Sequence, residues 1–253
     1  MAPDGELAAR APESMDGLAD AVTDVAIGGN GDLDGVARRP ALQPAVRRVY
    51  ERTKTAILQG ALPVGEWVTE GQVAEALSVS RTPVREAFLR LEAEGLLRLY
   101  PRRGALVTEL TERDVCEVLE LRELLESFAA RRIVETARSR RRELVAQLRE
   151  LVERERESAV DGDAVATARA GRAVHTAIVH AAGNRLLDRF YGMLRDRQQR
   201  VAVAAIRRKP DRLPAVLDEH RDLIDLLEGG DVAGYERALQ RHLIGTRQAL
   251  GGR

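Results

Sequence analysis

The segment "LSVSRTPVREAFLRLEAEGLL", Leu77 to Leu97, decides the fold of the first part of the chain. A short polar stretch with two arginines and a proline leads directly into an apolar helical repeat. Ser80 is a suitable N-cap, and Pro83 falls in the first helical turn, where its missing N–H would be unpaired in any case. The positions that we expect to be buried recur at helical spacing; they are Val84, Phe88, Leu91 and Leu96.

Two arginines stand at the start of this predicted helix. Arg81 and Arg85 are four residues apart and therefore share one face. Positive charge at a helix N-terminus is unfavourable by a few tenths of a kcal/mol, so stability alone would favour acids there. Two interpretations stay open: a solvated basic helix end, or a surface whose guanidinium groups bind guanine edges or phosphates.

The flanking segments place this helix in a larger motif. Upstream, "TEGQVAEALSV" begins with a capping-box pair, Thr69 and Gln72, and "PAVRRVYERTKTAILQGAL" predicts an earlier helix. Downstream, "LLRLY", "PRRG" and "ALVTEL" read as strand, turn and strand. Residues 41–109 therefore predict a winged helix-turn-helix, in which the second helix of the motif points its N-terminal residues at DNA bases. The turn adds Arg102 and Arg103 beside Gly104, which would let the backbone approach DNA closely.

The rest of the chain divides into two regions of different character. Residues 1–40 carry eight acids and three arginines, a net charge of −5, and predict a disordered acidic tail. Residues 110–253 show only helical signals and predict an antiparallel all-α bundle of about six helices. The expected fold class is therefore mainly α, with an N-terminal winged helix-turn-helix and a C-terminal bundle.

Composition narrows the functional classes. The 253 residues have a net charge of zero, so a surface that binds nucleic acid must be a local one. The single cysteine, Cys116, excludes an internal disulfide and suits a reducing compartment. No run of ~18 apolar residues and no basic-then-apolar leader is present, so we expect a cytoplasmic protein that has no membrane partner.

The ordered run "SRTPVREA" followed by "LE", "GL", "P.RG" and "V" resembles the GntR family of bacterial transcription regulators, in particular its FCD subfamily. The likeness extends over about residues 42–250. It implies a homodimer that reads a palindromic operator with the recognition helix and the wing. It also implies DNA contacts at Ser80, Arg81, Thr82, Arg85, Arg103 and Gly104. Gly71 is a departure, because some relatives carry a DNA-contacting arginine there, and six bundle helices would resemble the VanR-type branch.

The same resemblance implies a divalent metal site in the bundle, and a ligand set of three imidazoles would make Zn or Ni the expected ions. His175, His220 and His242 match its histidine positions, whereas the aspartate position holds Gly171. Helix geometry, taken without the resemblance, also indicates that two of these histidines lie close together. If the last two helices form a hairpin, His220 and His242 lie about 14 and 19 Å from its turn at ~1.5 Å per residue. Histidines that line an effector pocket without metal remain the alternative.

Two arginines are candidate contacts for a carboxylate effector. The resemblance implies that Arg122 faces the effector cavity, where it could bind a carboxylate through two parallel hydrogen bonds. A salt bridge to Glu126, one helical turn away, is the alternative role for Arg122. Arg172 lies three residues before His175 and could bind the effector carboxylate in place of Arg122.

The sequence thus predicts a DNA-binding regulator of transcription, most simply a repressor, whose operator affinity responds to a small carboxylate effector. One rival is a DNA-binding dimer with a purely structural bundle. The other is a metal-dependent hydrolase, which is disfavoured because no acid–base pair accompanies the histidines. We therefore expect no enzymatic activity.

Overall fold

The structure, a computed structural model, describes residues 44–252 of the chain. The acidic tail predicted for residues 1–40 lies outside this range. The described chain forms two compact units that divide between Glu109 and Leu110. Each unit is described on its own below.

The N-terminal unit contains three helices and a three-stranded sheet. In chain order its elements are α1 (Pro44–Gln59), β1 (Trp67–Val68), α2 (Glu70–Ala76), α3 (Arg81–Ala93), β2 (Leu97–Tyr100) and β3 (Gly104–Val107). The strand order is β1-β3-β2, and both neighbours of β3 are antiparallel to it. The hairpin of β2 and β3 confirms the predicted wing. The two-residue strand β1 was not predicted, because two residues are too few to show an alternating pattern.

The core of this unit lies beneath α3. Val84, Phe88 and Leu91 are buried as predicted and pack in one apolar cluster with residues of α1 and the sheet. Arg48 links α1 to the end of α2, since its Nη2 donates to the carbonyl of Leu77 at 3.2 Å. The α2 N-terminus has the predicted capping box of Thr69 and Gln72.

The C-terminal unit consists of seven α-helices and one short 3₁₀ turn among the described residues. The helices are α4 (Glu112–Val134), α5 (Arg138–Val160), α6 (Ala164–Ala181), α7 (Arg185–Met193), α8 (Arg195–Arg208), α9 (Leu213–Gly229) and α10 (Val232–Ala249), with the 3₁₀ turn at Pro210–Arg212. The sequence predicted about six helices, and the bundle has seven. The additional helix arises because α7 and α8 divide at Leu194, whose N–H donates to the carbonyl of Tyr191, three residues back. The helix count therefore gives no support to the VanR-type branch.

Helix α6 packs against α4, α5, α7 and α8, and α9 and α10 form a hairpin that packs on α4 and α5. The hairpin turns at Gly230, which has the left-handed φ of 79° that glycine adopts freely. Aliphatic residues from these helices form one continuous apolar core, with Val174, Ile178 and Leu223 fully buried. Within residues 44–252, every helix is too short or too polar to cross a membrane.

Candidate nucleic-acid interface and ligand cavity

The first turns of α3 present an exposed basic surface. Arg81, Thr82 and Arg85 are exposed, while Val84 on the opposite face is completely buried. Ser80 is the N-cap, but its side chain makes no capping hydrogen bond. Within the described part of the chain, the guanidinium groups of Arg81 and Arg85 have no ion-pair partner. The guanidinium groups of Arg81 and Arg85 and the hydroxyl of Ser80 are therefore available to bind an anion at the start of the helix.

Gly71, the departure in α2, lies directly under Arg81. A Cβ atom at position 71 would be 3.5 Å from Nη2 of Arg81, an ordinary van der Waals contact. The guanidinium of Arg81 thus lies over the surface where some relatives carry an arginine on α2. Positive charge reaches this region from α3 instead.

The wing carries the other predicted contacts. Arg103 lies over the ring of Trp67 at 5.7 Å, and Trp67 in turn packs on Tyr100 with ring centroids 5.0 Å apart. Arg102 is exposed at the tip and has a left-handed φ of 64°, which is uncommon for a residue with a side chain. Gly104 has a structural role: its φ is 102°, and a Cβ atom there would lie 2.7 Å from the carbonyl oxygen of Val68. Its predicted approach to DNA stays a prediction.

In the C-terminal unit, the three predicted histidines meet in the bundle core. His175 comes from α6, His220 from α9 and His242 from α10. Their ring centroids are 4.8 to 5.2 Å apart, and one ring nitrogen of each lies within 4.8 Å of the others. All three side chains are buried. The predicted meeting of His220 and His242 across the helical hairpin is confirmed, since the centroids of the two rings are 4.9 Å apart.

Each histidine is oriented by its own glutamate. Nδ1 of His175 lies 2.8 Å from Glu126, Nδ1 of His220 lies 2.6 Å from Glu155, and Nδ1 of His242 lies 2.8 Å from Glu219. An ionised carboxylate only accepts hydrogen bonds, so Nδ1 carries the proton in each pair. Each Nε2 is then left with a lone pair, the tautomer that ligates a metal ion with a carboxylate behind it.

The electrostatics favour neutral imidazoles at two of these positions. Burial lowers the pKa of His175 to about 4 and holds that of His242 well below its usual value. Burial alone would raise the pKa of Glu126, but Arg122 and His175 hold it well below its usual range. Neutral His175 and His242 keep their lone pairs at pH 7, which a metal ion requires of its ligands.

The cluster opens on a cavity of about 70 Å³. That volume is roughly five times the ~10–15 Å³ that one water molecule needs, so the space suits a small organic molecule. The cavity wall carries both predicted effector contacts, Arg122 and Arg172, together with Lys209 and Arg212. These basic residues and the histidines lie in a lining that is otherwise mostly aliphatic.

Arg122 forms the salt bridge that the sequence offered as its alternative role, with Nε 2.8 Å from Oε1 of Glu126. That bridge leaves part of the guanidinium unused. Nη2 of Arg122 and Nε2 of Gln198 are buried and have no hydrogen-bond partner among the described residues. Both residues line the cavity. Arg172 is half-buried, and its Nε lies 3.4 Å from Oε1 of Gln199.

Two other polar residues near the cluster have separate roles. His180 does not join the other histidines: its side chain is exposed and contacts Asp188 at 3.3 Å. Asn184 caps α7, because its side chain accepts from the N–H groups of Leu186 and Leu187.

Sequence reasoning did not connect the three glutamates with the histidines, and it considered Glu126 only as a partner of Arg122. Glu126 and Glu155 lie in helices rich in charged residues, where an exposed position is the usual outcome. One signal was available for Glu126, since it falls on the same face of α4 as the apolar Val115, Val118 and Leu119. Glu155 falls in the run "VERERES", where the polar pattern gives no sign of burial.

The exposed basic helix and wing, joined in sequence to a helical domain with a mainly aliphatic cavity that carries several basic residues, define a DNA-binding regulator of the winged-helix class. Comparison with known proteins gives the family. Residues 45–107 match the model of bacterial regulatory proteins of the gntR family, and residues 117–245 match the FCD domain. The chain belongs to the gntR family, in its FCD-containing group.

Curated relatives carry names that agree with this assignment. The chain is 32% identical over 224 residues to the "probable D-xylose utilization operon transcriptional repressor" of Paenarthrobacter nicotinovorans, which covers 87% of this chain and 96% of that protein. It is 42% identical over 89 residues to the gluconate operon transcriptional repressor of Bacillus subtilis, covering 35% of this chain and 36% of the relative. The family is one of transcription regulators rather than of enzymes.

Solved structures share the fold. McbR/YncC of Escherichia coli superposes with a TM-score of 0.65 at 25% identity, covering 83% of this chain and 98% of that one. A GntR-type protein from Rhodococcus sp. RHA1 gives a TM-score of 0.69 at 21% identity, covering 83% of this chain and all of the other. The second likeness concerns the fold alone.

Proposed function

We propose that this regulator is a homodimeric repressor whose affinity for a palindromic operator is set by a small carboxylate effector. The effector binds in the C-terminal cavity beside a divalent metal ion held by His175, His220 and His242. DNA contacts come from Ser80, Arg81, Thr82 and Arg85 on α3 and from Arg102, Arg103 and Gly104 on the wing. The relatives named as repressors of the D-xylose and gluconate operons support the choice of repression.

The histidine geometry is the observation that carries the metal proposal. Nε2 of His175 and Nε2 of His220 are 3.1 Å apart, and the Nδ1 atom of each faces a carboxylate. Two lone pairs at that distance repel each other unless a cation lies between them. Two nitrogen ligands at ~2.0–2.1 Å from one ion are separated by roughly 3.0–3.4 Å, so the observed spacing fits. Three imidazoles suit Zn or Ni, and such an ion supplies open positions for an effector oxygen.

The unpartnered donors of the cavity support an oxygen-rich effector. Nη2 of Arg122 and Nε2 of Gln198 are buried donors that require acceptors, and a carboxylate with a second oxygen function supplies them. Arg172 on the same wall adds positive charge. The panel of test compounds should therefore include sugar acids as well as simple carboxylates.

An exposed apolar face on α7 supports the homodimer. Leu186, Phe190 and Met193 are 60 to 65% exposed and lie on one side of the helix at a spacing of four and three residues. Leu124 on α4, a helix that contacts α7, is 66% exposed. A second copy that covers these residues would give the two-fold symmetry that a palindromic operator requires.

The test combines metal analysis with operator binding. The full-length protein is purified without added metal and its zinc and nickel are quantified, beside His220→Ala and the matched control His180→Ala. We expect metal in the wild type and in His180→Ala and little in His220→Ala; equal contents in all three would rule the site out. The affinity of the protein for an operator selected from random double-stranded DNA is then measured with each carboxylate of the panel. An affinity that no carboxylate alters would contradict the effector proposal.

A further inference from the structure

Gly171 faces a buried carboxylate of the neighbouring helix. A Cβ atom at position 171 of α6 would overlap Oε1 of Glu155 on α5 and lie 3.0 Å from its Cδ. It would also approach Cε1 of His220 to 3.3 Å. The Glu155 carboxylate therefore occupies the volume that any side chain at position 171 would need.

The backbone gives no other reason for a glycine here. Gly171 lies within α6, and its φ is outside the left-handed region that glycine alone adopts easily. Glycine inside a helix is less favourable than alanine, because it has more conformational freedom to lose on folding. Space for Glu155 is the feature of the structure that explains it.

Glu155 differs from the other two glutamates of the cluster in its partner. Glu126 is paired with Arg122, and Glu219 is paired with Arg212 at 2.9 Å. Glu155 is only 2% exposed, and its Oε2 lies 2.6 Å from Nδ1 of His220. A buried carboxylate is costly unless it is well paired. A cation bound on the far side of the His220 ring would supply positive charge through that hydrogen bond.

We propose that Glu155 is the positioning carboxylate of the metal site, and that Gly171 is the residue whose missing side chain admits it. This inference rests on the metal site proposed above. Glu155 holds His220 in the tautomer with Nε2 free and stays outside the coordination sphere. The ion is then bound by imidazoles alone, which favours Zn, Ni or Co over harder ions such as Mn and leaves more positions for the effector.

The decisive variant is Gly171→Ala in the full-length protein. The added methyl displaces a flexible carboxylate end rather than backbone, so the metal-free protein should fold. Zinc affinity, measured by competition with a chromophoric chelator, should fall ~10–100-fold, the usual loss when such a partner of a ligand histidine is removed. Glu155→Gln should lose a similar factor, and Gly171→Ala added to Glu155→Gln should lose no more. Gly192→Ala, where a Cβ meets open space, and Glu153→Gln on the exposed face of α5 are the matched controls.

The outcomes separate the two proposals. Wild-type zinc affinity in Gly171→Ala or in Glu155→Gln overturns the inference while the histidine site stands. A further loss from Gly171→Ala in the Glu155→Gln background also overturns it, because the methyl would then act directly on His220. If the wild type itself binds no zinc, the metal proposal fails and the inference fails with it. Thermal unfolding of each metal-free variant shows whether it folds, and Glu155→Gln alone decides if Gly171→Ala does not.

Discussion

Arg102 at the tip of the wing has an exposed side chain and a strained backbone. Replacing it by glycine relieves the backbone strain and removes the charged side chain. Its φ of 64° lies in the left-handed region, which costs a residue with a Cβ atom roughly 1–2 kcal/mol. Its guanidinium is exposed at the wing tip, where it can contact a DNA phosphate. We therefore expect Arg102→Gly to make the N-terminal unit more stable and the protein a weaker DNA binder.

The magnitudes follow from the backbone and the charge. Glycine removes the strain but has more freedom to lose on folding, by roughly 0.5–1 kcal/mol, so the net gain should lie between ~0 and ~1.5 kcal/mol. With a urea dependence of ~1.5 kcal/mol per molar, the unfolding midpoint should rise by up to ~1 M. Loss of one phosphate contact should reduce the slope of log K against log salt by ~0.9.

The chain offers a local probe for the first measurement. Trp67, the single tryptophan, packs on Tyr100 at the base of the wing, so its fluorescence reports unfolding of the N-terminal unit. Operator binding is followed by fluorescence anisotropy at several salt concentrations. Ser78→Gly is the matched control, since Ser78 also has a left-handed φ, 51°, and carries no charge. Ser78→Gly should gain stability and keep the wild-type salt slope. A lower urea midpoint in Arg102→Gly would contradict the strain at this position, and an unchanged salt slope would contradict its contact with phosphate.

Three other substitutions have defined outcomes. Gly104→Ala should destabilise the N-terminal unit by roughly 2–3 kcal/mol in the same urea assay, because its Cβ would meet the carbonyl of Val68 and its φ is unfavourable; wild-type stability would contradict the packing described for the wing. Arg81→Ala should weaken operator binding by about 1–3 kcal/mol with little change in the midpoint, because its side chain is exposed; unchanged affinity would remove it from the interface. Phe190→Glu should shift the protein towards monomer in sedimentation, and an unaltered dimer would place the interface elsewhere.

The helix-turn-helix could be predicted because its signals are local. The capping box at Thr69, Pro83 in a first turn and the buried side of α3 each depend on residues within one or two turns of each other. The strain at Ser78 and Arg102 could not be predicted, since φ follows from how the turn is closed by elements on both sides. The reason for Gly104 was likewise hidden, because Val68 belongs to a strand too short to recognise.

The histidine cluster was accessible from sequence only in part. His220 and His242 could be placed together because a glycine turn between two helices fixes their depths. The glutamates that orient them come from α4, α5 and the start of the same hairpin, and which faces of separate helices converge depends on tertiary packing. The division at Leu194 had no proline and only a nearby glycine to mark it. Gly171 looked like the loss of a ligand, and the fold shows a carboxylate from another helix in its place.

We infer that the histidine cluster in the C-terminal cavity controls the DNA-binding unit. The most direct test is the affinity for a selected operator, with and without an active carboxylate, in the zinc-loaded wild type, the chelator-treated wild type and His220→Ala. We expect the acid to change operator affinity in the zinc-loaded wild type and to have little effect in the other two samples. An equal change in all three samples would contradict it.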